Sequence, residues 1–175
     1  MENFKDKEYK IFELFEKRWA IVTAGSMEHY NGCTVGWGSL GNVWGNRPTV
    51  TVYIHPARYT GEFLNACDTF TVSFFPESYK KALGYIGSHS GRDGDKIAAA
   101  GLTPISIGQS VTYQEANLTF LCKKLYQHQI AKEEIAPEIR EYYASAPKVF
   151  PDSNGGWQPH MMFIGEIIDV KDGQS

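Results

Sequence analysis

Gly36-x-Gly38-x-x-Gly41 matches the glycine fingerprint of dinucleotide-binding doubly wound folds, and the residues directly after it decide which folds are open to this chain. In that fold the glycines open a helix whose N-terminus meets a pyrophosphate. Here Asn42, Gly45, Asn46 and Pro48 make a turn, and Thr49-Val50-Thr51-Val52-Tyr53-Ile54 is a strand. Strand, turn, strand excludes the doubly wound reading. Across Asn31 to Gly41, period-2 placement sets Cys33, Val35, Trp37 and Ser39 on one face and Thr34, Gly36, Gly38 and Leu40 on the other. Bare glycines admit a close backbone or ligand, and with small polar side chains and one large aromatic the stretch reads as a surface for a flat ligand.

The rest of the chain continues the strand pattern. Trp19 to Gly25 is a strand that returns through Ser26–Tyr30 as a hairpin, and residues 49–54 come after the Asn46-Arg47-Pro48 turn. Thr69 to Phe75 alternates Phe70, Val72 and Phe74 against Thr71, Ser73 and Phe75; Leu118 to Tyr126 and Met161 to Val170 are further strands, Gly165 suggesting a bulge. Short helices are expected over Thr60–Cys67 with Thr60 as N-cap, Ser78–Ile86, Asp93–Ala100 behind a Ser90/Asp93 capping box, and Lys132–Tyr143. Residues 102–115 read as irregular or weakly extended. Residues 146–159, rich in Pro, Gly, Asn and Asp, read as a loop that is either a lid or a plain excursion. Residues 1–18, with Ile11, Phe12, Leu14 and Phe15, suit an amphipathic segment over one end of the core. Six or more strands without regular strand–helix alternation specify a mainly β fold, an antiparallel β-barrel with short helices, as one domain over residues 19–170.

With 175 residues and 42% hydrophobic content, one domain with a substantial core is expected. A net charge of -3 and a pI near 5.9 give no electrostatic case for nucleic acid or an anionic membrane surface as the main partner. Three cysteines without close pairs, Cys33, Cys67 and Cys122, and a charged Met1–Lys10 point to a reducing cytoplasm. No run approaches the roughly 18 apolar residues of a membrane span.

Two stretches carry anion chemistry. In Ala57-Arg58-Tyr59-Thr60 a guanidinium precedes an expected helix start, and in Ser88 to Lys96 two serines, Arg92 and Lys96 flank another. Each has a plain reading: Thr60 and Ser90 as caps, Arg58 and Arg92 as partners of surface carboxylates. Both beside one glycine-rich strand raise the case for a phosphorylated cofactor. Trp37 and Trp44 suit a stacked ring or an ordinary core or interface position. His29, His55, His89, His128 and His160 show no zinc spacing, so no metal is expected. Cys33 lacks a nucleophile signature, and Glu133-Glu134 reads as a solvated helix face. Reactivity is therefore expected from a bound cofactor.

Trp19–Gly25, Tyr30-Asn31-x-x-Thr34-Val35-x-Trp37-Gly38, Pro56-x-Arg58-Tyr59-Thr60, Gly87-x-x-Ser90-Gly91-Arg92-Asp93-x-Asp95-Lys96 and His160-Met161-x-x-Ile164-Gly165-Glu166-Ile167 together resemble the flavin reductase-like family, in particular its flavoredoxin-like branch. The resemblance spans most of residues 19–170. It implies an FMN-binding split barrel acting as a homodimer, with the flavin near the subunit interface. By position, Asn31, Thr34 and Trp37 would line the isoalloxazine, with Cys33 and Ser39 adjacent, and Arg58, Thr60, Ser90 and Lys96 would bind the phosphate. His128, Trp157 and Phe163 transfer less directly, as contacts across the dimer. Two positions depart from similar sequences: Cys33 stands where methionine is common and His55 where arginine is common.

The function so implied is an oxidoreductase in which NADH or NADPH reduces FMN and the flavin passes electrons onward. Two rivals stand beside it: an electron carrier with tightly held FMN, reduced by a redox partner protein, and a non-catalytic nucleotide-binding barrel.

Overall fold

The computed structural model describes residues 3–152 and 155–173; residues 1, 2, 174 and 175, and 153 and 154 of the expected 146–159 loop, lie outside them. Nine strands, β1 (Ala20–Ser26), β2 (His29–Val35), β3 (Gly38–Val43), β4 (Arg47–Ile54), β5 (Thr69–Phe74), β6 (Pro104–Ile107), β7 (Ser110–Tyr113), β8 (Leu118–Gln129) and β9 (Met161–Asp172), are interrupted by four helices. These are α1 (Thr60–Ala66), α2 (Lys80–Ser88), α3 (Lys96–Ala99) and α4 (Pro137–Ser145). Seven strands form one antiparallel sheet in the order β2-β1-β5-β8-β9-β4-β3, and β6 and β7 pair as a separate hairpin.

The two edges of that sheet, β2 and β3, are consecutive in the chain and joined by Gly36 and Trp37 alone. In a flat sheet six strand spacings of about 4.8 Å would hold them about 29 Å apart. Three extended residue steps from Val35 to Gly38 reach about 11 Å at most. The sheet must therefore curl until its edges meet, and it closes at a chain corner rather than by hydrogen bonds between β2 and β3. This is a split barrel, mostly β, with short helices on the outside.

Inside the barrel, Phe70, Val72 and Phe74 of β5 pack with Val22, Val50, Val52, Phe120 and Phe163 in one fully buried cluster. Leu14 and Phe15 add to it from the N-terminal segment, the Phe15 ring meeting Phe74 edge-on at 5.2 Å. That segment is a π-helical turn, Glu13–Arg18, rather than a regular helix. A Cβ on Gly38 would run into the Phe15 ring, so the start of β3 has to be bare. Ile21, Leu83, Ile86, Ile97 and Tyr113 form a second cluster under α2 and α3.

Within residues 102–115, expected to be irregular or weakly extended, Pro104–Ile107 and Ser110–Tyr113 form the β6–β7 hairpin, and its docking face is made of hydroxyls. Thr71 Oγ1 donates to the Val111 carbonyl at 2.6 Å, and Ser73 lies 2.9 Å from Thr112, which lies 2.7 Å from Thr119. Thr23 meets the Tyr113 hydroxyl at 2.8 Å, and Thr69 meets Ser110 at 2.7 Å. Thr23, Thr71, Ser73 and Thr119, outward on β1, β5 and β8, are thus buried although polar.

Four local expectations shift. Thr60 is the first residue of α1, not its cap, and its hydroxyl accepts from Asn31 Nδ2 at 2.7 Å. α3 has only four residues, capped by Asp95, whose Oδ1 accepts from Ala98 N at 3.0 Å, while Ser90 Oγ accepts from Arg92 N. α4 begins at Pro137, as a residue without an N–H favours, after a separate 3-10 turn at Lys132–Glu134. The β8/β9 register slips at Leu125, between Lys124↔Gly165 and Tyr126↔Ile164, so Gly165 faces the bulge without being the extra residue. It is bare because a Cβ there would lie 2.6 Å from the Phe70 ring. No helix among the described residues is long and apolar enough to cross a membrane.

The hydroxyl layer makes a stability prediction. Tyr113→Phe strands the buried Thr23 hydroxyl and should lower unfolding free energy by about 1–3 kcal/mol. In urea denaturation the midpoint should fall with an unchanged slope.

Candidate functional site

Beside the Gly36-Trp37 corner a cleft opens in two connected compartments that share Cys33 and Arg58. The first, about 230 Å³, lies between Trp37, the end of β4 and the segment after α4, with Trp37, His55, Phe150 and His160 as its flat walls. The second, about 220 Å³, lies between the start of α1 and the 88–96 loop and carries Arg58, Thr60, Ser90 and Lys96.

The second compartment sets two cations, Arg58 and Lys96, against one carboxylate, Asp93. β4 ends at Ile54, and a turn in which Arg58 N donates to the His55 carbonyl at 2.9 Å brings the guanidinium back over the cleft. Asn31, buried on β2, ties Thr60 in place from behind, and Gly91 presses so closely on Asn31 Oδ1 that a Cβ there would overlap it. Lys96 is 7% exposed, and its Nζ donates to the carbonyls of Ile86 at 3.1 Å and His89 at 3.0 Å. One of its three N–H donors is left over. Burial pushes the Lys96 pKa down, Cys33 pulls it back up, and Arg58 adds to the drop. Arg92 takes the plain reading: it pairs with Glu62 and lies over the Tyr59 ring.

The first compartment is aromatic and nearly charge-free. Trp37 lies 4.4 Å from the His160 ring and 6.0 Å from Phe150, and His55 lies 5.3 Å from His160. The Tyr143 hydroxyl accepts from His160 N at 3.3 Å and sits 2.6 Å from His160 Nδ1, a bond in which either atom can be the donor. Burial, then His55, then Arg58 push the His160 pKa down to about 3, so the ring is neutral. Cys33 is raised by burial, against the lowering pull of the Thr60 hydroxyl, Lys96 and Arg58, and stays a thiol. Among the described residues no group of three or more His, Cys, Asp or Glu is placed to hold a metal ion.

Of the residues singled out by sequence, Cys33, Thr34, Trp37, Arg58, Thr60, Ser90 and Lys96 line this cleft and Asn31 braces it. The Thr34 hydroxyl points outward, donating to the Leu83 carbonyl at 2.6 Å. Four lie elsewhere. Ser39 borders an apolar groove beside Trp37, and His128 is exposed on β8 against Tyr126. Trp157 stacks on Tyr143 at 5.1 Å, and Phe163 is in the barrel core. Phe150 was not legible as a site residue, since its loop carries no periodic signal. His55, the residue directly after a strand and three before Arg58, could have been found from that proximity.

A split barrel whose corner joins a flat aromatic compartment to a cationic one defines a class of barrels suited to a planar ring with an anionic tail. The sequence matches the flavin reductase like domain over residues 12–175, and the chain belongs to that family. Its fold is shared with an FMN-binding protein from Thermus thermophilus (TM-score 0.67, 20% identity, covering 100% of this chain and 82% of that one). It is also shared with the flavoredoxin of Desulfovibrio vulgaris (0.64, 23%, 90% and 70%) and an NADH:FAD oxidoreductase of Streptomyces globisporus (0.63, 16%, 89% and 74%). No curated protein matches the chain.

The buried, neutral His160 makes stability pH-dependent. Its folded pKa of about 3 lies below the unfolded 6.5, so between these values the unfolded chain binds the extra proton. The contribution is complete above pH 6.5 and is lost as pH falls toward about 3. His160→Gln should show a shallower loss over that range in denaturation measured against pH.

Proposed function

We propose that the chain is an FMN-binding oxidoreductase, an NAD(P)H:flavin reductase. The observation that carries this reading is the continuity of an aromatic, nearly neutral compartment with a cationic one through Cys33 and Arg58. That is the shape and charge order of a flavin ring followed by a ribityl phosphate. The residues present fit such a group: Arg58 and the spare N–H of Lys96 supply charge, and Thr60 and Ser90 supply hydroxyls. Trp37 and His160 supply flat surfaces, and the neutral Cys33 thiol puts no charge beside the ring. Bound there, FMN would supply two-electron redox chemistry, accepting hydride from NADH or NADPH and delivering electrons onward. The chain's own part is to hold the ring and phosphate and to exclude water with Trp37 and Phe150.

A homodimer belongs to this reading. The apolar groove of about 760 Å³ that begins at Trp37 and Tyr142 is lined by Ile135 and Ile139 and flanked by Phe12, which is 86% exposed. A second copy seated there would cover the open side of the cleft, and Ser39 and His128 would reach the cofactor only across such an interface. The three free cysteines support a reducing, cytoplasmic setting.

Phe150 favours a second reading. It is buried in the ring compartment among Trp37, His55 and His160, which leaves little open wall for a nicotinamide. On that ground the chain would be an electron carrier served by a redox partner protein. Anaerobic absorbance spectra with FMN, before and after NADH or NADPH, separate the two. Bleaching beyond a protein-free control supports the reductase, and bound flavin that bleaches only with dithionite supports the carrier. Absence of flavin binding removes both. Arg58→Ala should weaken FMN binding about 10- to 100-fold, the ~1.5–3 kcal/mol of a charge-assisted hydrogen bond, and leave riboflavin binding unchanged in fluorescence titrations.

A further inference from the structure

Among the described residues one buried side-chain nitrogen or oxygen lacks a hydrogen-bond partner: His55 Nε2. The residue is 3% exposed and lines the ring compartment. Its other nitrogen is committed, because Nδ1 accepts from Ala57 N at 3.2 Å. An imidazole that accepts at Nδ1 carries its proton on Nε2, so the orphan is an N–H donor in a fixed direction. The backbone carbonyl of Gln158 is near enough to favour the protonated ring but does not meet hydrogen-bond geometry at Nε2. The neighbouring His160 ring, 5.3 Å away centre to centre, has Nδ1 taken up by Tyr143 and makes no hydrogen bond to His55 Nε2. Burial and Arg58 both disfavour protonation, leaving His55 a neutral donor. Leaving such a donor unpaired is costly, and a ligand acceptor would cancel that penalty.

The position of His55 selects the acceptor. It sits in the same turn as Arg58, and Arg58 is one of the two residues that the ring compartment shares with the cationic one. A flavin with its phosphate beside Arg58 and Lys96 has N10, the ribityl attachment, towards Arg58. The acceptors next to N10 are N1 and the C2 carbonyl, where negative charge collects when the ring takes up two electrons. Resting on the FMN reading above, we propose that His55 Nε2–H donates to the N1/C2-carbonyl edge of the bound flavin and holds reduced flavin more tightly than oxidised flavin. A fixed dipole aimed at developing charge needs no reorganisation when the charge arrives. His55 is then a residue that sets the reduction potential, not one that transfers a proton.

The test is His55→Phe, which keeps a flat apolar ring and removes the donor, with His55→Gln restoring an N–H. Oxidised FMN should bind His55→Phe about 5- to 100-fold more weakly, and reduced FMN about tenfold more weakly again. The ratio of reduced to oxidised affinity should fall about tenfold, a potential about 30 mV lower for a two-electron couple, and should recover in His55→Gln. Equal potentials in wild type and His55→Phe overturn the proposal. If His55→Phe does not fold, nitrogen-15 NMR of the wild type decides: the His55 Nε2–H resonance moves on adding FMN if the bond forms, and an unmoved resonance overturns it. Failure of the wild type to bind FMN removes the parent reading as well. Binding with a potential insensitive to His55 removes this inference alone.

Discussion

Two residues, Gly36 and Trp37, separate the edge strands of a seven-stranded sheet, and the shape of the molecule is a consequence of that short tether. A sheet with tethered edges has to roll up, and a roll closed by a corner keeps an opening beside the corner. Cys33 at the end of β2, Trp37 in the corner and Tyr53 to His55 at the end of β4 become the walls of that opening. Because β4 runs directly into the Arg58 turn, the cationic compartment is placed by the same closure. Packing sets how tight the corner can be: Gly38 passes beneath the Phe15 ring, and Gly36 lies against Trp19 at 3.4 Å from where a Cβ would sit.

Polar burial is managed in two opposite ways. On the outer face of β1, β5 and β8 the buried hydroxyls are paired with the hairpin or with one another. In the ring compartment His160 is paired through Tyr143, while His55 is left with a donor to spare. Among the described residues a whole hydroxyl layer is satisfied and one buried imidazole N–H is not, and that N–H marks where something else belongs.

Much of this architecture was legible in the amino-acid sequence. Alternating apolar residues revealed β5, and turn residues after Gly41 separated a barrel from a doubly wound sheet. Arg58, Thr60, Ser90 and Lys96, which line one compartment, were singled out because charged and hydroxyl residues cluster where two helices were expected to start. The features that escaped notice did so for physical reasons. The β6 and β7 strands have four residues each, so the alternation of Ser110 and Thr112 with Val111 and Tyr113 is too short to stand out as a period. Phe150 acts from a loop, where no pattern reports on burial. Thr60 looked like a cap because sequence shows the helix start but not Asn31, which reaches its hydroxyl from 29 residues away. Ser39, His128, Trp157 and Phe163 were proposed by position in a family pattern, and position alone does not say on which side of the corner a residue lies.

The hydroxyl layer also bears on how the protein responds to temperature. Apolar burial raises the heat capacity of unfolding and weakens on cooling, whereas polar burial enters heat capacity with the opposite sign. A barrel coated on one outer face by Ser, Thr and Tyr hydroxyls therefore has a flatter stability curve than one coated by valine and leucine. Its hairpin keeps its grip in the cold, where an oily cover would loosen first.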